Sequence, residues 1–198
     1  MTENDDLGRR SVGAKRNQAS ADAIRGAAEE LLLEAGYAGF SIEAVARRAR
    51  AGKPTIYRWW SGKAALLLDI YHRQKRVDYP DTGRLDEDVF QFLKGLFGHW
   101  RETSAGTLIR SIIAEAQSDA KAAAALDEYN HKRQQQTAEM IGRAKRRGEV
   151  MEEIDPELAA ELITSYARSR LLANRLDVED AAIRSAVRHL LGGWLAPT

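Results

Sequence analysis

The chain has 198 residues, 44% of hydrophobic type and 30% charged, with a formal net charge of +1. It holds no cysteine, which excludes disulfides and thiolate metal sites, and no apolar run near the ~18 residues of a membrane span. The first eighteen residues, MTENDDLGRRSVGAKRNQ, lack the apolar stretch of a secretory signal, so the expected compartment is the cytoplasm.

The small net charge conceals a polarity along the chain. Residues 1–76 sum to +5 and residues 77–198 to −4. A basic N-terminal third on an acidic remainder fits a DNA-facing end and an end that does not meet DNA.

Residues 1–16 read as a flexible basic arm. Arg9, Arg10, Lys15 and Arg16 give it reach toward a minor groove or phosphates, or are the ordinary charges of a tail. A first helix is expected from Gln18 to Ala35. Ile24, Ala27, Ala28, Leu31 and Leu32 form its apolar stripe, and Gly36 stops it. Tyr37 and Phe40 are expected to pack beneath it.

The stretch from Phe40 to Lys63, FSIEAVARRARAGKPTIYRWWSGK, reads as two short helices joined by a tight turn. Ser41 is a natural N-cap, with Glu43 placed where the helix dipole favours an anion. Ile42, Val45, Ala46 and Ala49 recur at helical spacing. The turn spans Ala49 to Gly52, and Gly52 supplies its permissive backbone. The second helix opens on Lys53 and Pro54, a good first-turn residue. Ile56 and Trp60 share an inward face, which leaves Thr55, Tyr57, Arg58 and Trp59 pointing elsewhere. Threonine and arginine can read base edges, whereas tyrosine and lysine suit phosphate oxygens. Ser61 then begins a further helix to about Arg76. Lys63 in its first turn is expected to clamp a phosphate. Leu66, Leu67, Ile70 and Tyr71 form that helix's apolar face. From Arg47 to Arg76 there are nine Lys/Arg and one acid, Asp69. That count favours a DNA surface over an ordinary solvated face. Expected DNA contacts are Ser41, Arg50, Lys53, Pro54, Thr55, Tyr57, Arg58, Trp59 and Lys63.

Val77 to Leu85, VDYPDTGRL, is a linker by its Pro, Gly and Asp content, and it divides a domain over 17–76 from one over 77–198. Asp86, Glu87 and Asp88 acidify the start of a helix to about Thr103. A short helix is expected over Ala105–Gln117 and a long one from Asp119 to about Arg147, stopped at Gly148. The basic run Arg143, Lys145, Arg146 and Arg147 reads as dipole complementation and C-capping. Asp155-Pro156-Glu157 starts a helix to about Arg175, and Asp177 to Asp180 opens a last one ending near Leu195. Leu158, Leu162, Tyr166, Leu171, Ile183, Val187, Leu190 and Leu191 are more apolar positions than one small core needs. They suggest self-association.

The pattern S-I-x-x-V-A-x-x-A-x-A-G-K-P-T-I-Y-R-W-W-S-G-K-A-A-L-L resembles the signature of the TetR family of bacterial transcriptional regulators over roughly residues 17–70. PDTG at Pro80–Gly83 resembles one large subgroup of that family. The family often has glycine where Arg50 stands, serine where Gly52 stands and a smaller aromatic at Trp60. The resemblance implies an all-α fold of about nine helices. It would have an N-terminal three-helix helix-turn-helix DNA-binding domain and a C-terminal helical domain for ligand binding and dimerisation. It also implies a four-helix homodimer interface from the last two helices, drawn here on Leu158, Leu162, Tyr166, Ile183, Val187, Leu190 and Leu191. A small-molecule cavity is implied in the second domain, with candidate lining residues Phe92, Leu96, His99, Trp100, Arg110, Tyr129 and Tyr166.

No catalytic motif is present, and His72, His99, His131 and His189 lie too far apart in sequence for a paired metal ligand. No cofactor, metal or membrane partner is expected. Three functions compete: a repressor released from a palindromic double-stranded DNA operator by an unidentified small-molecule effector, a DNA-binding dimer without ligand control, and an enzyme or helical scaffold whose basic stretch is incidental.

Overall fold

The computed structural model of the protein describes residues 6–74 and 78–195; residues 6–17 and 74 are described by backbone alone. The described residues form nine α-helices. They divide into two compact units, one of Met1–Gln74 with Ala116–Ala125 and the other of Lys75–Glu115 with Leu126–Thr198. No helix among the described residues is long and apolar enough to cross a membrane.

In the first unit, α1 (Asp6–Gly39) starts twelve residues before the expected Gln18. No proline interrupts 6–17, and arginine, lysine and alanine are good helix formers, so the stretch expected as an arm is helical from Asp6. The side chains of Arg9, Arg10, Lys15 and Arg16, to which the arm's DNA contacts were assigned, lie outside the described residues. Gly36 breaks α1 as expected, at φ 61 and ψ −170. Helices α2 (Ile42–Arg48), α3 (Lys53–Trp59) and α4 (Lys63–Gln74) follow. α1 packs on all three, and α2 packs on α3. Ile24, Ala28, Phe40, Ile42, Val45, Ile56, Trp60, Leu66, Leu67, Ile70 and Tyr71 are buried, which is the expected core.

In the second unit, α5 (Leu85–Glu102) packs on α8 (Pro156–Leu172) and on α9 (Asp180–Leu191). Between them in sequence run α6 (Ala105–Ala116) and α7 (Ala120–Arg146), of which Ala116–Ala125 belongs to the first unit. Asp155 caps α8 by accepting from the Glu157 amide at 2.9 Å. Gly106 lets α6 start close to the end of α5: a Cβ there would lie 2.4 Å from the Trp100 carbonyl oxygen.

Three helices stop by the same device. In each, a residue with positive φ follows the helix, its amide bonds back three residues, and the next amide bonds back five. At α7 the residue is Gly148 (φ 79), with Glu149 N–H reaching the Ala144 carbonyl at 3.1 Å. At α8 it is Asn174 (φ 53), with Arg175 N–H reaching the Arg170 carbonyl at 2.9 Å. This is why α8 ends at Leu172 and not at the expected Arg175. The last helix is also shorter than expected: Gly192 follows its final residue, Leu191.

The linker is tied to α7. Arg143 donates to the Tyr79 and Pro80 carbonyls at 3.3 and 2.7 Å and pairs with Asp81 at 3.2 Å. Arg147 pairs with Asp81 at 2.8 Å and with Glu149. Glu149 in turn accepts from the Leu85 amide at 2.7 Å, capping α5 from a distant loop. Asp88 is fully buried and accepts from both the amide and the hydroxyl of Thr82 at 2.7 Å. The basic run therefore does more than complement the α7 dipole. Two of its arginines hold the PDTG segment, a tertiary role that its sequence position does not announce. Lys145 does not cap the helix either: it donates to the Glu152 and Ile154 carbonyls of the segment that follows α7.

Candidate nucleic-acid interface

Ser41 caps α2 as expected, accepting from the Ala44 amide at 3.2 Å. Ile42, Val45 and Ala46 face inward, while Arg47, Arg48 and Arg50 are on the outer side. Arg48 turns back to α1, where it pairs with Glu34 at 2.7 Å and lies 3.8 Å from Glu30. Its hydrogen bond holds the Glu34 carboxyl below the usual glutamate range.

The turn differs from the expectation in one respect. Gly52 has φ −71, which any residue adopts, and it is Arg50 that carries the left-handed backbone, at φ 50. Arg50 sits just past α2. Its amide reaches the Arg47 carbonyl at 3.3 Å, and the Ala51 amide reaches the Ala46 carbonyl at 3.0 Å. This is the helix stop seen after α7 and α8, with arginine where glycine would be strain-free. For a residue with a Cβ, the left-handed conformation costs about 1–2 kcal/mol. Gly52 instead precedes α3 as an N-cap without a side chain.

α3 is seven residues long. Pro54 sits in its first turn, and Ile56 is its only fully buried side chain. Lys53, Pro54, Tyr57, Arg58 and Trp59 are exposed and Thr55 is half-buried. Tyr57 retains 49% exposure and Trp59 38%, which is unusual for side chains of this size in a small helix. Lys53 reaches back to Glu43 of α2 at 3.0 Å, and this bond lowers the Glu43 pKa. Trp60 lies one residue past the helix end, in extended backbone and buried, not inside the helix as its spacing suggested.

α4 begins at Lys63, two residues after the expected Ser61. The Lys63 ammonium donates to the Tyr37 carbonyl at 2.9 Å and stands 3.7 Å above the centre of the Tyr37 ring. It is thus held at the foot of α1, where a side chain extended toward a phosphate was expected.

The outer surface of α3, with the α2 edge and the turn, presents cations and aromatic rings together. Cations suit phosphate oxygens. Arginine, threonine and aromatic edges suit the donors, acceptors and methyl groups of the major groove.

Sequence reasoning passed over a polar cluster behind this surface. Asp69 of α4 accepts from the Trp60 indole N–H at 2.9 Å and from Arg25 Nε–H at 2.7 Å. The signal was present: a buried indole needs an acceptor, and Asp69 is the one acid between Arg47 and Arg76.

The C-terminal residues proposed from sequence separate into groups. Phe92, Leu96 and His99 are buried on α5, with Trp100 half-buried beside them. Phe92 stacks on Tyr79 at 5.4 Å, and Tyr166 meets Phe97 edge-on at 6.2 Å. Arg110 reaches Thr107 at 3.2 Å and Asn174 at 3.4 Å, and Tyr129 is half-buried on α7. Of the residues assigned to a dimer interface, Ile183, Val187 and Leu191 are buried in the subunit's own core. They belong to the apolar face of α9, the helix that packs on α5, so this chain's own core covers them. Leu158 and Leu162 are exposed at 56% and 46%, and Tyr166 and Leu190 are half-buried. Among the described residues no cluster of three potential metal ligands occurs.

Comparison with known proteins gives the same assignment at both ends of the chain. Residues 24–70 match the family described as bacterial regulatory proteins, tetR family, and residues 79–190 match the tetracyclin repressor-like C-terminal domain. The chain is 32% identical to the HTH-type transcriptional regulator YdeS of Bacillus subtilis, covering 91% of this chain and 92% of that one. It is 32% identical over 107 residues to a DNA-binding transcriptional repressor TetR of Mycobacteroides abscessus, covering 52% of this chain and 56% of that one. The crystal structure of the TetR family transcription regulator SCO0332 superposes with a TM-score of 0.76 at 30% identity, covering 90% of this chain and 99% of that one. With a helix-turn-helix of α2 and α3 packed on α1 at one end and a matching helical domain at the other, the chain belongs to the TetR family of DNA-binding transcriptional regulators.

Proposed function

We propose that the protein is a homodimeric repressor that holds a palindromic operator through α3 of each subunit and lets go when a small molecule binds the second unit. The observation that carries the DNA half of this reading is the outward display of Lys53, Tyr57, Arg58 and Trp59 on a short helix anchored by Ile56. A two-fold dimer would place two such helices in successive major grooves, about 34–36 Å apart, so the operator would be an inverted repeat. Leu158 and Leu162 on α8 supply an apolar face for the second copy. Such a regulator would act in the cytoplasm and needs no catalytic group.

Release by a ligand rests on kinship. One fold neighbour is named a flavonoid-responsive regulator, FrrA; responsiveness, and not that ligand, is what we extend to this chain. The effector would bind more tightly to a dimer whose reading helices are wrongly spaced, and it would release DNA by that difference, about 1–3 kcal/mol in common cases. Phe92, Leu96, His99, Trp100, Arg110, Tyr129 and Tyr166 remain the lining assigned to its site. The chain first leaves the reading unit through α4 and the linker and crosses again on either side of Ala116–Ala125; the α4 crossing directly follows the reading helix in sequence, and it is the route assigned here to the signal. The test is a thermal-shift screen of small molecules, followed by titration of each hit into the protein bound to a duplex selected from a random pool. Ligand control predicts hits that raise the melting temperature and weaken DNA binding; hits that stabilise without weakening it would leave a DNA-binding dimer without this control.

A further inference from the structure

We infer that Asp69 is a positioning residue for DNA recognition, because its carboxylate fixes the C-terminal end of the reading helix through Trp60 while Arg25 of α1 pins the carboxylate. This rests on the reading of α3 as the DNA-facing helix.

A helix of two turns with one buried side chain is poorly determined. Ile56 sets its depth against α1 and α2, and a single buried side chain restrains the roll of a helix about its own axis less than two do. At its first residue, the Lys53–Glu43 pair is exposed on both sides, and such pairs hold little in water. The second anchor is Trp60. Its ring is buried, and its N–H donates to Asp69 Oδ2 at 2.9 Å. The same oxygen accepts from Arg25 Nε–H at 2.7 Å, and the Arg25 guanidinium lies 5.1 Å from the centre of the Trp60 ring. Three groups from three segments thus close on one another. Arg25 also pairs with Asp22 at 2.8 Å, and Arg73 approaches Asp69 and Asp22 at 3.8 and 3.7 Å. The carboxylate is therefore held in place among arginines, where charge-assisted hydrogen bonds are strong.

The consequence reaches the outer surface through the neighbouring ring. Trp59 lies 6.2 Å from Trp60, tilted by 39°. Packing constrains the volume of the buried Trp60 ring, and the bond to Asp69 adds a directional restraint on its indole edge. That restraint fixes the seat of Trp59, and with it the roll that presents Tyr57 and Arg58. Phenylalanine at position 60 would fill the space but make no such bond.

The experiment uses the full chain, the duplex that the wild-type protein enriches from a random pool, and a scrambled duplex of equal length and composition. Variants are Trp60→Phe, Asp69→Ala, Asp69→Asn and the double variant Trp60→Phe with Asp69→Ala. Binding is measured at one salt concentration, at a temperature where circular dichroism shows each variant fully folded. Trp60→Phe and Asp69→Ala should each weaken binding to the enriched duplex about tenfold, the worth of one hydrogen bond to a charged group. Affinity for the scrambled duplex should not change, because phosphate contacts are untouched. The double variant should bind no worse than Asp69→Ala alone, since both changes remove one interaction. Should Asp69→Ala fail to fold, Trp60→Phe and Asp69→Asn carry the same comparison. A folded Trp60→Phe or Asp69→Asn protein with wild-type preference for the enriched duplex would overturn the inference, as would losses that multiply in the double variant. Tyr57→Ala and Trp59→Ala are run alongside: if both bind as wild type, the reading of α3 fails; if they weaken and Trp60→Phe does not, only the role of Asp69 fails.

Discussion

α3 and α8 each leave large apolar side chains in solvent, and their surroundings differ. On α3, Tyr57 and Trp59 stand among Lys53 and Arg58, with Arg47 and Arg50 nearby in sequence. On α8, Leu158 and Leu162 stand among Glu157, Glu161 and Ser165, and all five side chains are exposed. Rings with polar edges among cations suit a polyanion that offers hydrogen bonds and methyl groups. Aliphatic side chains carry nothing a nucleic acid can use and suit another apolar surface. The proposed function takes both as contact faces, and the neighbouring charge is what assigns them different partners.

The contrast can be broken most forcefully at α8. Leu158→Glu with Leu162→Glu should shift the protein from dimer to monomer, raising the dimer dissociation constant by about 30-fold or more, as loss of an interface hot spot does. Sedimentation measures this, and DNA binding should fall with it while each subunit stays helical. An unchanged dimer would remove α8 from the interface.

The converse change belongs to α3. Tyr57→Ala should weaken binding to a selected duplex by about 10-fold, a loss of ~1.4 kcal/mol, and leave the sedimentation coefficient untouched. The two sets of variants together sharpen the comparison, since one removes the partner subunit and the other only the DNA.

A smaller effect lies in the turn. Arg50→Gly should raise stability by up to about 1 kcal/mol, because the left-handed backbone costs a Cβ-bearing residue more than glycine's extra chain entropy costs the fold. Denaturant titration reads this gain. Gly52→Ser should add a few tenths of a kcal/mol by supplying the missing cap. If Arg50 also meets phosphate, the stabilised variant will bind DNA less well.

The smallest effect concerns acid. Glu34 and Glu43 are held below their ordinary value of 4.5 chiefly by hydrogen bonds from Arg48 and Lys53. A carboxyl with a lowered folded pKa contributes fully above its unfolded value and loses that contribution as the pH falls through the lowered one. Both pairs are exposed, so the reading unit should lose little stability from neutral pH to pH 4.5 and lose it more steeply below. Glu43→Gln should flatten that slope slightly in a denaturation series across pH.

The reading unit was legible because its instructions are local. Ser41 caps, Pro54 opens, Ile56 anchors and Gly36 stops within a few residues of where each acts. Boundaries erred where the deciding group sat further away or was not the usual residue: Arg50 took the conformation assigned to glycine, and Asn174 ended α8 early. The second unit was less legible because periodicity cannot say which neighbour an apolar face meets. Ile183, Val187 and Leu191 have the spacing of a contact face, and they face inward. The Arg143–Asp81 clamp and the Asp69–Trp60 bond join residues 62 and nine positions apart, and no local pattern announces either.

The claim that the α3 surface meets DNA twice per assembly is tested most directly by selection from a random duplex pool, run in parallel with the wild-type protein and with a Tyr57→Ala, Arg58→Ala double variant. The wild type should enrich an inverted repeat whose half-site centres lie about one helical turn apart, and the variant should enrich nothing in common. Enrichment of the same sequence by both proteins, or of a site without two-fold symmetry by the wild type, would contradict the account.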